Sequence, residues 1–183
     1  LVYCTMYAGG KYNNNDEAAY EYSLGLNGLG ACATQFSSEF MSVTSYTKKG
    51  KYEIRFEKGF PVTELIKSEP VKRRTGTVTT WKPDLEVFTD INIPHEFFAD
   101  VMRRQSVVNA GISFELDLQQ PDNSFEKQTF LYENGISDYI GEMCGGATLT
   151  EPLLWHLETQ GRDRGDKDEY KLKADFSFCV SNT

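Results

Sequence analysis

The sequence predicts an α+β fold, a mostly antiparallel sheet with helices on one face, and three observations carry that prediction. Segments of alternating apolar and polar residues come in adjacent pairs joined by short turns, the pattern of hairpins. Helical patterns fall between those pairs rather than after every strand, which argues for a sandwich and against a doubly wound parallel sheet. Twelve Phe and ten Tyr supply large apolar surfaces for a packed sheet-and-helix layer. The length of 183 residues suits one domain or one and a fraction.

Taken in order, residues 1–7 alternate and carry aromatics, and read as the end of a strand or helix. Residues 8–24, rich in Gly, Asn and Asp, read as a loop. A glycine-rich turn at 25–30 opens a helix from Ala31 to Phe36. Residues 40–46 alternate as a strand, Lys48-Lys49-Gly50-Lys51 turns the chain, and 52–57 return as the partner. Residues 58–74, with Pro61 and Pro70, read as loop; 75–81 are β-rich and stop at Pro83. Ile93-Pro94 opens a helix, since Pro is tolerated in a first turn. Its apolar stripe, Phe97, Val101 and Val108 flanked by Phe98 and Met102, reads as core. Asn109-Ala110-Gly111 ends that helix. Strands follow at 112–118 and 125–132, then a short helix at 135–143 ending at Gly145-Gly146. Two further strands, near 152–158 and 169–180, flank a charged turn at 160–168.

Composition excludes several classes. Charged residues are 25% and hydrophobic residues 39%, enough for a core and for solubility. No apolar run approaches the roughly 20 residues that span a bilayer. The opening Leu1-Val2-Tyr3 has no Met and no basic leader and looks like the inside of a strand, so the chain reads as cut from something longer. Net charge is -8, and the compact basic clusters are Lys72-Arg73-Arg74 and Arg103-Arg104. Phosphate backbones demand more clustered cations than that, so direct DNA contact by this chain is not expected. Lys72 to Arg74 read as a solvated loop ahead of a strand. Cys4, Cys32, Cys144 and Cys179 are widely spaced, and His95 and His156 are isolated, so no metal site is expected. Scattered Cys without a secretion signal fit buried, reduced thiols in the cytoplasm.

The segment that carries chemistry is Gly25-Leu26-Asn27-Gly28-Leu29-Gly30, a GxxGxG at a helix entrance. Three glycines allow a tight turn with positive φ and close backbone approach. The unpaired N–H groups of the following helix, with its dipole, favour an anion such as a triphosphate. A plain glycine-rich helix start explains the same residues. The spacing is the reverse of the dinucleotide fingerprint GxGxxG, and no GxxxxGK[ST] loop occurs.

A family resemblance bears on that choice. Ala8-Gly9-Gly10-Lys11-Tyr12, an Asn/Asp-rich spacer and then Ser23-Leu24 ahead of the glycine segment resemble the ATP lid of the ATPase subunits of bacterial type IIA DNA topoisomerases, gyrase B and topoisomerase IV B. Members read HAGGKF, a spacer, then SGGLHGVG. Thr75-Gly76-Thr77 with Trp81-Lys82-Pro83-Asp84 resembles TGT…FWPD, and Phe88-Thr89 resembles the F-T step before a helix. Arg104-Gln105 through Asn109-Ala110-Gly111-Ile112 resembles LRELAFLNxGI, and Tyr132-Glu133-Asn134-Gly135-Ile136 resembles YEGGI. The matches run in order along nearly the whole chain.

The resemblance implies a partial GHKL (Bergerat) ATPase sandwich. Residues 1–147 would be the C-terminal part of the ATPase domain from the lid onward. Residues 148–183 would begin the transducer domain, which is ribosomal S5-like. It implies ATP and Mg²⁺ as cofactors, and Gly25, Gly28 and Gly30 as lid glycines. Leu26, Asn27 and Leu29 would share in binding through their backbone amides, Lys11 and Tyr20 would stand near the nucleotide, and Thr77 would help to hold adenine. It implies a gyrase A or topoisomerase IV A-type partner, DNA, and a self-dimer formed on ATP binding. The catalytic Glu, the Mg-binding Asn and the adenine-binding Asp are expected upstream of Leu1, and the transducer Lys beyond Thr183. The chain alone is therefore expected to be inactive. Asp16-Glu17-Ala18 echoes the family's DEA but sits in the lid spacer. Leu24 replaces a lid glycine, Asn27 replaces the usual His, and Thr47 stands where an Arg often flanks the coumarin pocket, so those contacts differ. Histidine kinases, heat-shock-90 chaperones and MutL proteins share such lids, and an interaction module that kept the fold and lost the chemistry is a further alternative.

Overall fold

A computed structural model describes residues 2–8, 28–167 and 169–182. The chain divides into two compact units, Leu1–Asn92 and Ile93–Thr183. Every strand pairing within them is antiparallel, so the α+β architecture is as the sequence predicts.

The first unit opens with helix α1 (Gly30–Phe36), joined through Ser37 to β1 (Ser38–Thr47). The Ser37 and Ser38 hydroxyls donate to the Ala33 and Thr34 carbonyls, closing the last turn of the helix. Strand β2 (Gly50–Glu57) returns along β1 through Lys48-Lys49. Thr47 fixes that turn: its hydroxyl donates to the Gly50 carbonyl at 3.0 Å and accepts the Lys49 N–H at 3.1 Å. Strand β5 (Gly76–Pro83) lies on the other side of β1. Two short strands, β3 (Phe60–Pro61) and β4 (Ile66–Ser68), pair with β2. The loop expected over 58–74 is thus partly sheet. Its strands are two and three residues long, too short to show alternation, and Pro61 sits where a sheet edge tolerates it.

Met41 and Val43 on β1 and Phe56 on β2 form the buried cluster of this unit. Register puts Trp81, Thr79 and Thr77 opposite Met41, Val43 and Ser45, so all six share one face of the sheet. Residues 2–7 form turns rather than the strand or helix end expected, and Tyr7 has φ 60°. Of the apolar residues there, Tyr3 covers the sheet: its ring lies 6.3 Å from that of Phe56, and its hydroxyl is 3.5 Å from the Thr79 hydroxyl.

The second unit contains α2 (His95–Val108), the hairpin β6 (Phe114–Gln119) and β7 (Phe125–Phe130), α3 (Ile136–Met143), and the hairpin β8 (Leu153–Gly161) and β9 (Tyr170–Phe178). Helix α2 packs on the β6–β7 hairpin and on α3, while α3 packs on β9. Of the α2 stripe expected to be core, Phe97, Phe98, Val101 and Val108 face outward, Phe97 being 62% exposed and Val108 68% exposed, while Met102 is half-buried. The other covered positions are Ala99, Gln105, Ser106, Val107 and Asn109. A two-stranded hairpin covers one side of a helix, and that side is not the one with the most large apolar residues. Among the described residues the buried apolar side chains of this unit are Phe130 and Tyr132.

Candidate functional site

The glycine segment is described from Gly28 onward. Gly28 has φ 61°, the left-handed conformation that disfavours a Cβ, and Leu29 returns to right-handed geometry as the N-cap of α1. The first helical bond is Ala33 N–H to the Leu29 carbonyl at 2.8 Å. Leu29 makes no side-chain cap, so the N–H groups at the start of the helix have no intrahelical acceptor. Gly30 is exposed, and among the described residues a Cβ built on it meets nothing within 4 Å. The dipole of the helix that follows has the right sign to hold an anion at this turn.

Thr77 lies on β5 opposite Ser45, exposed, on the face that carries the buried cluster. Seven residues of β1, about 23 Å of strand, separate its register position from the α1–β1 junction. Gly28, Leu29 and Gly30 come together by contiguity, and Thr77 stands apart from that junction on its own strand. Lys11, Tyr20, Gly25, Leu26 and Asn27 lie outside the described residues, as does Asp16-Glu17-Ala18.

Sequence reasoning missed Gln35. It is 0% exposed on α1, and neither side-chain polar atom has a hydrogen-bond partner among the described residues. Leaving such an amide unpaired costs about 1–3 kcal/mol. Nothing in the sequence distinguishes it, because the helix containing it is only seven residues long.

Several motif residues have structural work that their types explain. Asp84 is buried just after β5; its carboxylate accepts the Glu86 N–H at 2.9 Å, and its own N–H donates to the Ser37 carbonyl at 3.0 Å. It thereby ties the end of β5 to the end of α1. Tyr132 is buried and donates to Glu142 at 2.6 Å; burial and then that bond push its hydroxyl up to about 12. The Tyr132 carbonyl accepts N–H groups from both Gly111 and Gly135, which joins the NAGI and YENGI segments. Asn134 gives two hydrogen bonds to Asp138 at the start of α3, holding that carboxyl below the usual carboxylate range. Arg74, the last of the basic run, stacks over the Tyr46 ring at 3.9 Å, while Lys72 and Arg73 stay exposed as expected.

The cysteines depart from expectation. Cys32 is buried, Cys4 is exposed, and Cys144 and Cys179 are half-buried with their sulfurs 3.5 Å apart. His156 is not isolated either: its Nδ1 lies 2.6 Å from Asp175 across the β8–β9 hairpin. Neighbours across a fold are invisible to spacing along the chain.

Against known proteins, no family model matches the chain. It is 31% identical over 176 residues to the B subunit of DNA gyrase from Chlamydia pneumoniae, covering 95% of this chain and 21% of that protein. It is 33% identical over 141 residues to the B subunit of DNA topoisomerase 4 from Bacillus subtilis, covering 76% of this chain and 20% of that protein. The chain is a homologue of the B subunits of gyrase and topoisomerase IV. This gyrase B homologue spans about a fifth of the length of those relatives. Its fold matches the 43K ATPase domain of Thermus thermophilus gyrase B, solved with an aminocoumarin, at a TM-score of 0.64 and 24% identity. That match covers 73% of this chain and 36% of the other. The topoisomerase IV ATP-binding domain of Francisella tularensis gives a TM-score of 0.58 at 21% identity, over 70% of this chain and 34% of that one. The similarity to the gyrase B subunit of Chlamydia pneumoniae extends over 95% of this chain. Among its described residues no helix is long and apolar enough to cross a membrane.

Proposed function

We propose that this chain is the part of an ATP-hydrolysing type IIA topoisomerase B subunit that closes over the nucleotide. Residues 1–147 are the C-terminal part of its ATPase domain, and 148–183 begin the transducer. The observation that carries the reading is the entrance to α1: a left-handed Gly28, an exposed Gly30 at which an added Cβ would meet nothing within 4 Å among the described residues, and a helix N-terminus that Leu29 does not cap through its side chain. Backbone N–H groups in that arrangement suit phosphate oxygens. In this reading Gly25, Leu26, Asn27, Gly28, Leu29 and Gly30 wrap the phosphates of ATP through their main chain. Lys11 adds a cation, Tyr20 contacts the nucleotide, and Thr77 supports adenine from the sheet. ATP, with Mg²⁺ when bound, would supply a γ-phosphate open to attack by water. Lid closure then couples nucleotide binding to pairing with a second copy of the same polypeptide, and the A-type partner cuts and passes DNA in the cytoplasm. The net charge of -8 supports leaving DNA contact to other parts of the assembly.

The test replaces Gly28 by Val in the polypeptide encoded by the whole reading frame and titrates a non-hydrolysable ATP analogue. A side chain at φ 61° costs about 1–2 kcal/mol of local strain and crowds the phosphates. Binding is expected to weaken by about tenfold or more. Unchanged affinity, with the fold intact by circular dichroism, sinks the assignment. The 183-residue chain alone is expected to show no ATP turnover above a mock preparation.

A further inference from the structure

The two half-buried cysteines of the second unit meet where the end of α3 comes alongside the end of β9. Cys144 follows α3 directly, and its N–H donates to the Ile140 carbonyl at 3.1 Å. Cys179 follows β9 directly. The backbones beyond them are tied together. Leu149 N–H donates to the Val180 carbonyl at 2.7 Å, Asn182 N–H donates to the Ala147 carbonyl at 3.3 Å, and Thr148 bridges to Ser181. The hydroxyls of Ser137 and Ser177 are 3.3 Å apart on the same two elements. Two thiols thirty-five positions apart in sequence are thus held 3.5 Å apart by contacts that do not depend on them. A covalent S–S bond is about 2.05 Å long, so the sulfurs must close by about 1.5 Å. Gly145 and Gly146, at φ 56° and 76°, adjoin Cys144 and give that side the freedom to move.

We propose that Cys144 and Cys179 form an oxidisable dithiol, a modification site that closes to an intrachain disulfide between the end of α3 and the end of β9. The oxidant is a small-molecule disulfide. One cysteine thiolate attacks a sulfur of it; a mixed disulfide forms, the oxidant's S–S bond breaks, and one thiol leaves with a proton. The other cysteine thiolate then attacks the Sγ of the mixed disulfide, the Cys144–Cys179 bond forms as the mixed-disulfide bond breaks, and the second thiol leaves with a proton. Two cysteine thiols lose two electrons and two protons, and one disulfide is reduced to two thiols. The hydrogen bond to Cys144, and then burial, pushes the Cys179 thiol up. On the proposed domain division at residue 147, the bond would staple the ATPase domain to the first strands of the transducer; only that meaning rests on the division.

The test reduces the chain, exposes it to hydroxyethyl disulfide, traps free thiols with iodoacetamide and maps the peptides by mass. Under native conditions the Cys144–Cys179 link is expected to exceed every other pairing by about tenfold, because folding holds these sulfurs at high effective concentration. In denaturant the excess should vanish. A Cys4→Ser, Cys32→Ser double variant should form the same link at the same rate. Separate adducts on Cys144 and Cys179, thiols still free when Cys4 is fully modified, or equal pairing in native and denatured chain would each overturn the proposal. If the link forms while the Gly28→Val variant binds nucleotide normally, the dithiol stands and the ATPase reading alone falls.

Discussion

At the scale of single residues, the motif positions divide into those that present backbone to a ligand and those that shape the chain. On the proposed function Gly28 belongs to the first group; Asp84, Asn134 and Tyr132 belong to the second, each closing hydrogen bonds that hold a turn. Tyr132 gives the clearest prediction. Its hydroxyl titrates at 10.0 in an unfolded chain and at about 12 when folded, so the proton is held more tightly in the native state. The sign follows from linkage: the stabilisation is fully present below pH 10.0 and is lost as pH rises through about 12. Tyr132→Phe should cost about 1 kcal/mol at neutral pH, for the lost bond to Glu142. The variant should then lose less stability than the parent across that alkaline window. Urea midpoints for both proteins at the two ends of the window decide it, and parallel losses would contradict the assignment. None of this was readable from Tyr132-Glu133-Asn134-Gly135-Ile136 as a string. The string resembles a family motif, but the partner that gives the tyrosine its role, Glu142, lies ten residues on across a helix.

At the scale of elements, the long hairpins and both longer helices were legible, because alternation over six or more residues and apolar spacing of three and four leave clear traces. Strands β3 and β4 left none, being two and three residues long. Helix α2 was found, but its orientation was not. Most of its large apolar residues lie away from the covered side, and periodicity cannot say which side meets the sheet. Loop glycines divide in the same way, by what surrounds them. Gly135 precedes α3 with φ 57°, buried, and a Cβ there would lie 3.0 Å from the Val107 carbonyl and 3.2 Å from the Ala110 Cβ. Gly141, inside α3, has nothing within 4 Å. Gly135→Ala should therefore destabilise the second unit by roughly 2 kcal/mol or more. Gly141→Ala should stabilise it by up to about 1 kcal/mol, since alanine gives up less entropy in a helix. Denaturant titration of the pair checks both signs, and a tolerated Gly135→Ala would show that the backbone there relaxes freely.

At the scale of the whole molecule, the apolar bookkeeping is unusual. Among the described residues, six apolar side chains are buried, while Trp81, Trp155, Phe97, Phe176 and Phe178 are exposed. Apolar area of that extent normally meets a partner surface. The chain on its own is expected to self-associate at micromolar concentration. Replacing Phe97 and Val108 by Glu and Lys should reduce the scattered light without loss of helix signal; a clean monomer for the unaltered chain by light scattering counts against the expectation. The candidate site was legible only in outline at this scale. The glycine spacing points to a phosphate-binding turn or to a plain glycine-rich helix start, while the separation of Thr77 from the α1–β1 junction depends on strand register, which a sequence does not state.

The outward stripe of α2 has a practical result for anyone handling this chain. Dyes such as ANS brighten on exposed apolar surface and serve as reporters of molten-globule states. Here the native fold already offers them aromatic rings, so a bright signal would mark a correctly folded sample. Unfolding should then dim the dye rather than light it, reversing the sense in which a fluorescence melting curve is read.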